Sequence, residues 1–156
     1  MYLLDTNHCS RLIDQHPAIV NRLEALGDAI VATCVIVKGE LTFMVQRSEM
    51  KAENEAKVQA LLQDMELFPV DDATADIYGM LKAGLLAKYG PKEKAARQKT
   101  KIERLGFSDN DLWIAAIAKC RDFIVVSADA SFERMKDVAG LRVERWWSPE
   151  PDRADR

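Results

Sequence analysis

Residues 106–129 read GFSDNDLWIAAIAKCRDFIVVSAD: a helix start, a helix and a buried strand in one run. Ser108 stands where an N-cap belongs, and Asp111 follows at capping-box spacing, with Asp in place of the usual Glu or Gln. Phe107 and Leu112 can close a hydrophobic staple across that cap. Trp113, Ala116, Ile117 and Cys120 continue the helix. Asp122 and Phe123 lead into Ile124-Val125-Val126-Ser127, an apolar run of the kind covered on both faces in a parallel sheet. Asp129 follows at its tip.

The pattern repeats upstream. Residues 1–4 form a short apolar strand that ends at Asp5-Thr6-Asn7, where Asn7 or Thr6 can cap a turn carrying Leu12 and Ile13. Pro17 suits the first turn of a second helix, with Ile19, Val20, Leu23 and Leu26 as its stripe and Gly27-Asp28 as its end. Ala29–Ala32 reads as a second strand, and Thr33 as the N-cap of a helix marked by Val37, Leu41, Met44 and Val45. Glu40 lies on that helix. Ser48–Met65 predicts another helix. Leu67–Val70 predicts a strand near a sheet edge, because Pro69 has no donor. Asp72–Tyr89 predicts a long helix broken by Gly90-Pro91. A helix around Phe132–Met135 and a last strand at Leu141–Glu144 complete the chain.

Short strands alternating with helices predict an α/β fold, a three-layer α/β/α sandwich around a central, mainly parallel sheet. With no internal repeat or linker, one domain is expected over residues 1–147, followed by a disordered tail at 148–156 that is rich in proline and charge.

A hydrophobic fraction of 48% over 156 residues suffices for a core without staples. Cys9, Cys34 and Cys120 are odd in number and lack C-x-x-C spacing, which argues against a thiolate zinc site or a disulfide framework. Cys34 and Cys120 lie in apolar segments, where a thiol behaves as a small buried hydrophobe. Asp5 interrupts the N-terminal apolar run too early for a signal-peptide core, and no run approaches the length of a membrane span. A soluble, cytoplasmic protein with no membrane partner is expected.

The net charge of −3 hides an asymmetry. Residues 82–104 carry +6, from Lys82, Lys88, Lys92, Lys94, Arg97, Lys99, Lys101 and Arg104 against Glu93 and Glu103, leaving −9 on the rest. The part from 92 to 104 has a thin apolar stripe and is expected to be exposed and partly mobile.

Parallel sheets place ligand sites beyond the C-terminal ends of their strands. Asp5 and Asp129 both fall there. Asp111 opens the helix that precedes the second of these strands, and Glu40 is long enough to reach the same crevice. Each acid alone has a plainer use, as a turn former, a cap or a solvated helix residue. Gathered together, they repel and must take up protons or a cation. Oxygen ligands suit Mg²⁺ or Mn²⁺, which can activate water and orient a phosphodiester.

The segments MYLLDTN (1–7), VIVKGEL (35–41), NDLWIAAIA (110–118), IVVSADASFERM (124–135) and GLRVERW (140–146) resemble, in order, those of the PIN-domain ribonucleases, and within them the VapC-like toxins of toxin–antitoxin pairs. The resemblance spans residues 1 to about 147. It implies that Asp5, Glu40, Asp111 and Asp129 gather around Mg²⁺ or Mn²⁺ to cut RNA. It also implies that Thr6, Asn7 and Ser127 support the acids or bound water. Asp109 has no assigned family counterpart, and can support the ligands or hold an outer ion. His8 is expected to face away from Asp5, and His16 to lie in a polar turn, so neither is placed as a base.

RNA approaching an acidic site needs a basic surface nearby. Lys88, Lys92, Lys94, Arg97, Lys99 and Lys101 are the candidates, with Lys38 and Arg47 as additions. The resemblance further implies a homodimer and a cognate antitoxin. Apolar faces at 34–46 and 51–65 are possible contact surfaces, although such stripes also serve a core. Of Trp146 and Trp147, one is expected on the domain and the other on a partner.

Three alternatives compete. A DNA or flap nuclease on the same scaffold would want an appended module for branched DNA. A haloacid-dehalogenase-like phosphatase would want D-x-D-x-T, where this chain has Asp5-Thr6-Asn7-His8-Cys9. A non-catalytic RNA-binding regulator would keep the scaffold without turnover.

Overall fold

The computed structural model describes residues 1–148; most of the expected tail, 149–156, lies outside the described residues. Five short strands, β1 (Tyr2–Leu4), β2 (Val31–Cys34), β3 (Glu66–Phe68), β4 (Ile124–Val126) and β5 (Arg142–Glu144), pair in the order β3-β2-β1-β4-β5. Every pairing is parallel. The helices are α1 (Thr6–Ile13), α2 (Pro17–Leu26), α3 (Val35–Arg47), α4 (Lys51–Gln63), α5 (Asp72–Tyr89), α6 (Lys94–Lys99), α7 (Asp109–Cys120) and α8 (Ala130–Ala139), with a 3-10 turn at Ile102–Leu105.

The chain steps from β1 outward to β2 and β3, then crosses back to β4 and on to β5. Right-handed crossovers running in opposite directions lie on opposite faces of a sheet. The helix contacts follow that division: α1 packs with α2, α3 and α4, whereas α5 packs with α7 and α8. The result is the expected three-layer sandwich. The direction of travel reverses between β1 and β4, and such a reversal opens a crevice at the C-terminal strand edge.

The central strands carry Leu3, Leu4, Ala32, Cys34, Val125 and Val126, all fully buried. Burying each Leu or Val contributes about 1.5–3 kcal/mol. Leu85, Ile117, Phe132 and Met135 supply the core beneath α5, α7 and α8. The helices approach closely at Gly84, where an added Cβ would lie 2.5 Å from Val138 Cγ1. Burial pushes the Cys9 thiol up to about 12 and raises that of Cys34, so both act as hydrophobes. Cys120 is only half-buried.

Several boundaries depart from the expectation. The second strand starts at Val31 instead of Ala29, so Thr33 lies inside it and does not cap α3. Its hydroxyl donates to the Leu4 carbonyl at 3.1 Å, tying β2 to β1. The edge strand is Glu66–Phe68, and Pro69 follows it instead of interrupting it. The helix expected from Ser48 begins at Lys51, because the Ser48 hydroxyl accepts from Met50 N at 3.0 Å and Asn54 Nδ2 at 2.7 Å. Residues 92–104 expose Lys92, Lys94, Lys99 and Lys101, yet Ile102 is buried and anchors the stretch.

Both tryptophans pack on this chain, against the expected split. Trp146 meets the Tyr2 ring edge-on at 5.3 Å. Trp147 lies under Arg11, at 4.7 Å, and beside His8 and His16. Among the described residues no helix is long and apolar enough to cross a membrane.

Candidate active site

Strands β1 and β4 are neighbours in register, with Leu4 opposite Val126, and the Asp5 amide donates to the Val126 carbonyl at 3.1 Å. Asp5 therefore leaves the sheet at the crevice. It is itself the N-cap of α1, a role the sequence suggested for Thr6 or Asn7: its Oδ1 accepts from His8 N at 2.8 Å. Asp129 caps α8 in the same way, with Oδ1 accepting from Ser131 N at 2.7 Å. The Asp129 amide donates to Ser127 Oγ at 3.0 Å, so buried Ser127 braces the turn from behind.

Asp111 lies in the first turn of α7. The expected capping box does not form, because Ser108 makes no side-chain cap bond and Asp111 is engaged elsewhere. Its Oδ2 accepts from Ser131 Oγ at 3.3 Å. Ser131 thus joins the third and fourth acids. These three carboxylates all stand at helix N-termini, where the peptide dipoles partly offset negative charge. Glu40 comes instead from within α3, and two donors hold it. Thr6 Oγ1 donates to its Oε2, and Asn110 Nδ2 donates to its Oε1 at 2.9 Å.

Asp5, Glu40, Asp111 and Asp129 line one open cleft of about 640 Å³ together with Thr6, Asn7 and Asn110. Val35, Ile36, Gly39, Phe43 and Met44, on the same helix as Glu40, also line it. Among the described residues no cationic side chain lines it. Burial, and then repulsion from Asp129, Glu40 and Asp5, pushes the Asp111 carboxyl up to about 7. Among the described residues no three acidic, histidine or cysteine side chains already converge as a ligand set. The acids border an open cleft and do not close a preformed cage. Their oxygens suit a hard divalent cation, and one bound there would answer the repulsion felt by Asp111.

Other sequence candidates lie apart from this cleft. Asp109 Oδ1 accepts from Tyr78 Oη at 2.6 Å and Lys82 Nζ at 2.7 Å, tying α7 to α5. Burial opposes its ionisation, but those two donors outweigh it and hold the carboxyl below the usual range. Lys88 pairs with Asp137 at 3.0 Å. None of Lys88, Lys92, Lys94, Arg97, Lys99 and Lys101 lines the cleft. The basic stretch leads through the 3-10 turn and the left-handed Gly106 (φ 78°) to the start of α7.

His8 does not face away from Asp5. It is fully buried, with Nδ1 2.9 Å from Asp5 Oδ1. The roles of Asn110 and Ser131 were not read from the sequence. Asn110 adjoins Asp111, and Ser131 follows Asp129 by two, the spacing at which a capping carboxylate meets a backbone N–H. Neither signal reveals a bond across the fold.

A model of the PIN domain matches residues 2–138. Ribonuclease VapC2 of Rickettsia felis is 28% identical over 150 residues, covering 94% of this chain and 98% of that protein. The tRNA(fMet)-specific endonuclease VapC of Shigella flexneri is 28% identical over 146 residues, covering 93% and 97%. The crystal structure of VapBC-5 from Mycobacterium tuberculosis, a member of the VapBC family of toxin-antitoxin systems, matches with a TM-score of 0.63 and 29% identity. That match covers 92% of this chain and 96% of the other.

Proposed function

Because this chain belongs to the PIN-domain family, we propose that it is a divalent-metal-dependent endoribonuclease, the toxin of a toxin–antitoxin pair. The observation that carries the reading is the convergence of acids from four separate segments on one cleft, with Asp111 pushed up to about 7. In this reading Asp5, Glu40, Asp111 and Asp129 hold Mg²⁺ or Mn²⁺. A cation held there would supply Lewis acidity for water activation and would offset charge growing on the phosphate.

The chain's own residues do the rest. Thr6 and Asn110 hold Glu40 at the cleft, where it orients the attacking water or ligates the ion. Ser127 and Ser131 fix Asp129, and Asn7 offers the cleft an exposed amide. The apolar wall at Phe43 and Met44 gives an unpaired base a surface to stack on. Lys92, Lys94, Arg97, Lys99 and Lys101 attract the RNA backbone. Lys88 joins them when its pair with Asp137 opens. Asp109 acts as an anchor for α7, with no outer ion required.

The cognate antitoxin is the protein partner in this reading, and the toxin itself is a cytoplasmic homodimer. Asp5→Asn and Asp129→Asn are expected to lower RNA cleavage in Mg²⁺ or Mn²⁺ by roughly 100-fold or more, with an unchanged circular dichroism spectrum. EDTA is expected to abolish wild-type cleavage. Full activity in a folded Asp5→Asn variant would rule the residue out.

A further inference from the structure

Behind the cleft stands a histidine with no part in the chemistry proposed so far. His8 is 0% exposed and sits in the first turn of α1. Its backbone N–H and its Nδ1 meet the same atom, Asp5 Oδ1, at 2.8 and 2.9 Å. Its Nε2 is buried and has no hydrogen-bond partner among the described residues. Trp147 closes over the ring edge-on, at 6.2 Å between centroids.

With Asp5 as a carboxylate, these contacts call for a hydrogen on Nδ1. A carboxylate oxygen offers lone pairs only, so Nδ1 must carry the hydrogen that bonds it. With the hydrogen on Nε2 instead, two lone-pair atoms would face each other at 2.9 Å. A buried N–H would also be stranded at Nε2.

We propose that His8, as its Nδ1–H tautomer, is a positioning residue for the cation site. Its two donors saturate Asp5 Oδ1 and so leave Oδ2 for the cleft. Asp5 is only 4% exposed, yet it lines the cleft, and both of these hydrogen bonds fall on Oδ1. The backbone N–H alone is a single pivot about which a carboxylate can rock. The imidazole adds a rigid second donor, locked by its own burial. Groups that bond a metal-ligating side chain in this way are typically worth roughly 10- to 100-fold in metal affinity or activity. The inference rests on reading Asp5 as a ligand of the cation.

His8→Asn keeps a donor in the place of Nδ1, and His8→Leu removes it. Mn²⁺ binding to the metal-free proteins is measured by calorimetry, and cleavage is resolved into kcat and KM. His8→Leu is expected to weaken Mn²⁺ binding about 10- to 100-fold and to lower kcat with little change in KM, and His8→Asn to recover most of the loss. Wild-type affinity and kcat in His8→Leu would overturn the proposal, as would an Asn variant no better than Leu when both fold. Nitrogen-15 NMR of the metal-free wild type needs no variant: an Nδ1 that carries no hydrogen would overturn it as well. If the wild type binds Mn²⁺ but cuts no RNA, the nuclease reading falls while the Mn²⁺ affinities still judge His8. If the wild type binds no Mn²⁺, both fall.

Discussion

At the scale of single residues, Asp111 carries the strain of the site. Its carboxyl moves from an ordinary 3.8 to about 7, first through burial and then through its acidic neighbours. Between those values the folded chain holds a proton that the unfolded chain releases. The metal-free protein should therefore lose stability as pH rises through that window. In EDTA, Asp111→Asn is expected to be more stable than wild type at pH 8, by on the order of 2 kcal/mol, and to match it near pH 4. Added Mn²⁺ should raise the melting temperature of the wild type more than that of the variant. Thermal melts across pH check this, and a difference independent of pH would refute the assigned cause. That gathered acids would favour protons or a cation was legible in the sequence; that Asp111 is the one raised was not, because its burial and its distances to three other acids are set by the tertiary structure.

Among elements, the acids divide by how they are held. Asp5 and Asp129 cap α1 and α8, and Asp111 opens α7, so backbone geometry aims all three. Glu40 has no helix terminus to fix it and depends on Thr6 and Asn110. Asn110→Ala is expected to reduce cleavage about 10-fold while leaving stability nearly unchanged, a separation that paired activity and melting measurements can read. Packing sets a different limit where α5 meets α8. Gly84→Ala gains about 1 kcal/mol in helix propensity. The new methyl must nevertheless displace Val138, whose Cγ1 lies 2.5 Å from the ideal Cβ position. Overpacking of this kind costs about 1–3 kcal/mol, so the variant is expected to unfold at lower denaturant concentration than wild type. Gain of stability would mean that α8 yields easily. Helix periodicity located both helices, but nothing along the chain revealed how closely they approach.

For the whole molecule, charge is segregated: +6 over residues 82–104 against −9 elsewhere. The structure trims this reserve, because Lys82 is tied to Asp109 and Lys88 to Asp137. Lys92, Lys94, Lys99 and Lys101 remain exposed. Reversing all four to Glu is expected to weaken RNA binding and to reduce the slope of log affinity against log salt by about 1 for each phosphate no longer neutralised. An unchanged slope would move the RNA to another surface. The same reversals should leave the melting temperature nearly unaltered, since these side chains lie outside the core.

The sequence by itself determined the layers, the parallel sheet, the strand-end acids and the charge asymmetry. Each is written in local order: short apolar runs, helical periodicity, and an acid where a strand stops. Only the tertiary structure decided that β1 lies beside β4, that Asp109 turns to Lys82 and away from the cleft, and that His8 turns inward onto Asp5. Strand pairing and side-chain direction depend on what the rest of the chain leaves room for. A buried histidine and an exposed one follow Asp-Thr-Asn equally well until Trp147 arrives from the far end to cover the ring.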